Sequence, residues 1–129
     1  MAALSDYAEN LILNWLMKNT GSAPTTTHLA LFTAAPSDSC GGTEVSGNGY
    51  ARQAVTWDTA SGTGGTTSNS TAETFTASGG SFGTVTHIGI FDAATTGNLL
   101  WHGAMTSSKT VADGDSLQFA IGAIDLTIA

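Results

Sequence analysis

Three histidines, a few aspartates and one cysteine are the residues of this chain with chemistry to offer. His28, His87 and His102 each open or sit within an apolar stretch, and three imidazoles brought together would hold a metal such as zinc. None has a second histidine two or four residues away, the spacing that makes such a site legible. They read as strand histidines bonded to turns and edges. Asp113 and Asp115 flank Gly114. Two oxygen ligands so placed suit calcium, but nothing completes the longer acidic loop pattern, and the triplet reads as a turn whose side chains bond their own backbone. Asp92 with Asp38 is the other carboxylate pair to weigh for acid–base work. Cys40, in Ser-Asp-Ser-Cys-Gly-Gly, has no second cysteine to pair with and no nearby histidine, so it reads as an incidental thiol. Gly62–Thr66 is rich in glycine but holds no lysine and opens no helix, which excludes a phosphate loop. Asn69-Ser70-Thr71 spells a glycosylation sequon. No catalytic, metal or cofactor set emerges, and the expectation is a protein that is not an enzyme.

The residue that stands out is a cation. Arg52 is the only basic residue between Lys18 and Lys109, and it follows Gly47-Asn48-Gly49-Tyr50 in the stretch Gly42–Trp57. Glycine takes the positive φ a tight reversal needs, and asparagine tolerates it better than most residues. A planar guanidinium can brace a loop by bidentate contact with a carboxylate, or by holding backbone carbonyls. Arg52, Tyr50 and Glu44 are therefore the bracing candidates, with contact to a partner as the other use for Arg52. From Tyr50 to Trp57 the residues alternate as a strand, with Tyr50, Arg52, Ala54 and Thr56 on one face.

The elements that must position these residues are short. The chain has 129 residues, enough for one domain with its own core. Ser5 is a natural N-cap, and Asp6 and Glu9 follow where the helix dipole favours negative charge. Residues 4–19 thus predict a helix, stopped by Asn19-Thr20-Gly21. Tyr7, Leu11 and Trp15, with Ala8, Ile12 and Leu16, give it a wide apolar face. Such a helix must dock, on its own sheet or on a neighbouring subunit, and Trp15 and Leu11 are the candidate contact residues. The organisation expected is a docking segment over residues 1–21 and a β-sandwich over residues 22–129.

Strands are expected at His28–Ala34, Tyr50–Trp57, Thr71–Ala77, Thr84–Asp92 and Asn98–Met105, with a last pair at Ser116–Ile121 and Ala123–Ile128. His28–Ala34 is apolar on both faces, which suggests a central strand. Ala35–Asn48 is a long polar loop, and Thr59–Ser70 an exposed loop or hairpin tip. Short strands separated by glycine-rich turns mean an antiparallel β-sandwich or barrel-like domain, with one N-terminal α-helix against it.

Charge narrows the partners. Three Lys and Arg against ten Asp and Glu give a net charge of −7. This argues against nucleic acid and against an anionic membrane surface. The charged fraction is only 10%, far below the usual quarter, which suits a surface that packs against neighbours. Trp57, Trp101, Phe82, Tyr50 and Phe91 would be the aromatics of a sugar-binding face, although most of them read as core.

Four blocks carry a resemblance: LSDYAENLILNWLM, HLALFTAAPSD, GGTEVSGNGYARQAVTW and GTVTHIGIFDAATTGNLLWHGAMTSSKTVADGD. In this order they resemble a family of small bacteriophage virion proteins labelled as tail fibre, minor tail or capsid decoration proteins. The resemblance implies a virion structural protein made in the host cytoplasm. Its first reading is a capsid decoration (cement) protein, a homotrimer stabilising the head shell through the helix and the 35–48 loop, with the major capsid protein as partner. Its second is a minor tail or tail fibre protein among tail subunits, with the loops at 59–70 and 93–97 facing the host. A lectin-like binding module outside the virion is a third class.

Overall fold

Leu29, Ala30, Leu31 and Phe32 are buried in succession, and a strand with four such residues in a row needs cover on both faces. The computed structural model, which describes residues 2–61 and 64–128, supplies that cover. Its elements are β1 (Ala2–Leu4), α1 (Asp6–Lys18), β2 (Thr27–Ala34), β3 (Thr43–Glu44), β4 (Gln53–Val55) and β5 (Thr66–Ser68). There follow β6 (Glu73–Thr76), β7 (Gly83–Phe91), β8 (Leu99–Val111), β9 (Ser116–Phe119) and β10 (Asp125–Thr127).

All pairings are antiparallel. The main sheet runs β1-β8-β7-β2-β3, with β4 also pairing to β2, while β5–β10 and β6–β9 form two separate ribbons. The ribbons lie over one face of the main sheet, and the sheets do not close into a barrel. Between them is the larger core, in which Leu29, Leu31, Val85 and Ile90 meet Phe75, Leu117 and Leu126. The opposite face of β2 and β7 builds a smaller core of Ala30, Phe32, Phe91 and Leu99. The Phe32 and Phe91 rings stack there with centroids 6.2 Å apart. Gly89 makes this possible, because a Cβ on it would stand 2.9 Å from both the Phe32 ring and Leu99.

Several expectations change. The strand expected over Tyr50–Trp57 shortens to Gln53–Val55, because Tyr50 and Arg52 turn to opposite faces of the main sheet. The final two strands do not pair with each other: β9 joins β6 and β10 joins β5. Asn69 separates them. Fully buried, its amide donates to Thr71 O at 2.8 Å and Ala120 O at 2.9 Å, and its Oδ1 accepts from Ile124 N at 2.9 Å. These bonds take up backbone groups where the chain passes from one ribbon to the other. The asparagine of the sequon is thus in the interior of the protein. The expected loop Thr59–Ser70 contains a real strand, β5, in its second half; residues 62 and 63 of the glycine-rich stretch lie outside the described residues. Asn98–Met105 and Lys109–Val111 merge into one strand, with a register break opposite Thr86.

The helix starts where expected. Ser5 caps it by accepting from Ala8 N at 3.1 Å, and Asn19 ends it in the left-handed conformation at φ 55°. Its environment is the larger surprise. Of its residues only Ala8 is buried, and Leu13, Trp15, Leu16 and Met17 are all more than half exposed. The periodicity marked the apolar residues, but this chain's sheet covers only one side of them.

Candidate functional site

The first site is a clamp at one end of the sheet. Gly47, Asn48 and Gly49 take φ of 72°, 54° and 80°, and reverse the chain so that Tyr50 and Arg52 come back over Glu44. Arg52 meets Glu44 bidentately, Nε to Oε2 and Nη2 to Oε1, both at 2.8 Å. Its Nη1 donates to the carbonyls of Ala93 at 3.0 Å and Thr96 at 2.7 Å. The guanidinium lies 3.6 Å over the centre of the Phe91 ring, which caps the smaller core by a cation–π contact. Arg52 thus joins three segments: β3, the 50–52 segment and the 93–97 turn.

Tyr50 completes the clamp from the other side. Its hydroxyl donates to Glu44 Oε2 at 2.7 Å and accepts from Leu31 N at 3.1 Å. Its ring packs on Phe75 and edge-on to Phe82 in the larger core. Glu44 is therefore the link between the two cores. Burial, and next the bond to Glu44, push the Tyr50 hydroxyl well above its ordinary pKa; the Glu44 bond holds the Arg52 guanidinium above its own. The polar side-chain atoms of this cluster bond one another and the backbone. Its chemistry is rigidity.

The second site is the helix and its flank. Ser5 anchors α1 twice more, by its hydroxyl to Leu99 O and by its amide to Leu100 O at 2.9 Å. Nothing in the sequence distinguishes this cap from an ordinary one. Beside the anchor, Leu11 and Trp15 face Leu100, Trp101 and Ile128 across an apolar groove of about 200 Å³. A second groove of about 330 Å³, running to Trp57, shares Leu100, Trp101 and Ile128. Trp15 and Leu11 thus lie far from the clamp, in a separate surface.

The residues with catalytic potential are dispersed. His102 Nε2 meets Asp38 Oδ1 at 2.8 Å, and His87 Nδ1 meets the neighbouring Thr86 hydroxyl at 2.8 Å. Asp92 binds the amide of Asn98 at 2.7 Å. Asp115 accepts from Ala112 N within its own turn, as expected, whereas Asp113 accepts from Gly79 N of another turn. Of the proposed sugar-binding aromatics, Phe82 and Phe91 are buried in the cores and Tyr50 packs against the larger one, while Trp57 and Trp101 border the groove beside Ile128. Among the described residues no group of three or more His, Cys, Asp and Glu is placed to hold a metal, and no helix is long and apolar enough to cross a membrane.

The comparison with protein families is specific: residues 3–127 match the model of the podophage GP4 fiber I protein gp80, and the chain belongs to that family of phage fibre and virion structural proteins. No curated protein matches the chain.

Proposed function

We propose that this protein is a non-enzymatic structural subunit of the fibre apparatus of a podophage tail, assembling with other tail subunits. The observation that carries this is the family match, which spans 3–127 and bears a fibre description. The clamp fits it. A subunit under mechanical load gains from a turn at 93–97 and a loop at 44–52 tied by one buried arginine, since a buried bidentate pair fixes geometry. The sequence reading put capsid decoration first; the fibre description moves the tail reading ahead of it.

Decoration keeps one supporting observation. The described residues hold no stalk, and the only helix of the set is the 13-residue α1. Quantitative mass spectrometry of purified particles, scaled to the major capsid protein, separates the two. A few dozen copies or fewer fit the tail; hundreds, near one per shell subunit, fit decoration. Absence from the particle would defeat both.

A further inference from the structure

Of the asparagines in this chain, only Asn48 is followed by a glycine. Asn48 and Gly49 are the two central residues of a type I′ turn, closed by Tyr50 N donating to Gly47 O at 3.0 Å. Both are exposed. A glycine at this place leaves its backbone nitrogen unshielded by any side chain, and that nitrogen can attack the carbonyl carbon of the asparagine side chain in plain water. Gly49 N gives its proton to hydroxide and bonds Asn48 Cγ. The Cγ–Nδ2 bond then breaks, and the nitrogen takes a proton from water and leaves as ammonia, which regenerates the hydroxide. Water opens the resulting succinimide at either of its carbonyls, leaving aspartate or isoaspartate where the asparagine stood.

The attack requires rotation about the Cα–C and Cα–Cβ bonds of Asn48, so that Cγ comes over the Gly49 nitrogen. The fold opposes both rotations. Asn48 Nδ2 donates to Ser81 O at 2.8 Å, and the Asn48 carbonyl accepts from Ser78 N at 2.8 Å. A Cβ on Gly80 would stand 2.6 Å from Asn48 Oδ1, so the side-chain amide rests directly on the bare backbone of the 78–81 turn. That turn is itself held from elsewhere: Asp113 Oδ1 accepts from Gly79 N at 3.0 Å, and the Ser81 hydroxyl donates to Val111 O at 2.8 Å. The leaving nitrogen, the attacked carbon and the peptide between them are thus fixed by a second turn distant in sequence.

We propose that Asn48 is a site of spontaneous deamidation which docking of the 78–81 turn protects, and that conversion there prevents the two turns from docking again. Exposed turns open locally at little cost, and each opening frees Asn48 to react. Aspartate then sets an oxygen where Nδ2 stood, facing Ser81 O with no hydrogen between two acceptors. Isoaspartate lengthens the backbone by a methylene within a reversal whose φ angles are fixed at 54° and 80°. Tyr50 and Arg52 leave this turn for Glu44, so either product reaches the clamp. The reaction is irreversible, and it makes the clamp's turn the chemically perishable part of the molecule.

The test follows the full chain in mildly alkaline buffer by peptide mass mapping, with aspartate and isoaspartate separated chromatographically. In urea, Asn48 should convert before any other asparagine; in the folded chain it should convert at least about tenfold more slowly. Both rates should rise with pH, as hydroxide takes the Gly49 proton. Gly80→Ala places a methyl group against the Asn48 amide, and should raise the folded-state rate several-fold when compared well below that variant's own melting midpoint. Equal rates in the folded and unfolded parent, or a parent-like rate in Gly80→Ala, overturn the protection. Asn48→Asp should melt several degrees below the parent, with faster hydrogen exchange at Ser78 and Tyr50. A parent-like melt means that the product docks, and overturns the second half of the proposal. Should Asn48→Asp fail to fold, the aged parent, separated from the fresh chain by its added negative charge, supplies the melting curve.

Discussion

Arg52 and Trp15 sit in two separate regions of the molecule, and their surroundings are opposite. The Arg52 side chain is 8% exposed; each of its three nitrogens donates within the chain, and its flat face rests on Phe91. Trp15 is 53% exposed and stands on a helix whose Leu13, Leu16 and Met17 are more than half exposed as well. The clamp end finds its partners within the chain, and the helix end leaves apolar side chains in water. Interactions internal to the chain contribute to folding, whereas side chains left in water at no benefit to the fold are available to a partner. Mutation should therefore separate stability from assembly along this same division.

The sharpest way to break the comparison is Arg52→Ala. It leaves Glu44 Oε1 and two carbonyls without their donor, with only Tyr50 still donating to Oε2, and removal of one partner from a mostly buried ion pair costs about 3 kcal/mol, or roughly 10 °C at this size. A thermal melt by circular dichroism checks it. Unchanged melting together with lost assembly would mean that the clamp is a contact site after all. Tyr50→Phe deletes one acceptor and one donor, and leaves Leu31 N unmatched; a loss of about 1–2 kcal/mol in urea unfolding is expected. At the helix end, Ser5→Ala removes the cap and the bond to Leu99 O, for about 1 kcal/mol, with faster hydrogen exchange confined to α1.

Glu73 offers a control for Glu44. It is buried, but its Oε2 has no hydrogen-bond partner, and desolvation raises its pKa above the ordinary 4.5. The folded state then holds this proton more tightly than the unfolded chain. The stabilising contribution is complete below pH 4.5 and is lost as pH rises through the raised folded value. Glu73→Gln should flatten that dependence and gain up to about 1 kcal/mol at neutral pH; a parallel pH profile in the variant would refute the assignment. The smallest effect on stability, within about 0.5 kcal/mol, is expected from Leu16→Glu, Met17→Glu, whose side chains are already 59% and 75% exposed.

Much of the scaffold was legible because local chemistry set it. Ser5 with Asp6 and Glu9 marks a helix start, and Gly47-Asn48-Gly49 marks a reversal, whatever surrounds them. The run of apolar residues from Leu29 to Phe32 identifies a central strand. In the clamp, the type of residue was readable, since an isolated arginine after such a turn needs a fixed partner and Glu44 is the acid of that stretch. Its other contacts, with Ala93 O, Thr96 O and the Phe91 ring, lie about forty residues away and leave no periodic trace. Asn69 was illegible for the same reason. A buried asparagine and an exposed one have the same sequence neighbours, and only long-range bonds to residues 120 and 124 tell them apart.

By itself, then, the sequence determined which residues are apolar, where the chain turns, and that the charge is strongly negative. Those follow from side-chain chemistry and from spacing within a turn or a strand. The tertiary structure decided which apolar residues are covered. Periodicity records a helix's apolar sides without recording what packs on them, and the sheet of this chain is wide enough to cover only the side at Ala8. Leu13, Leu16 and Met17 were left in water by that geometry.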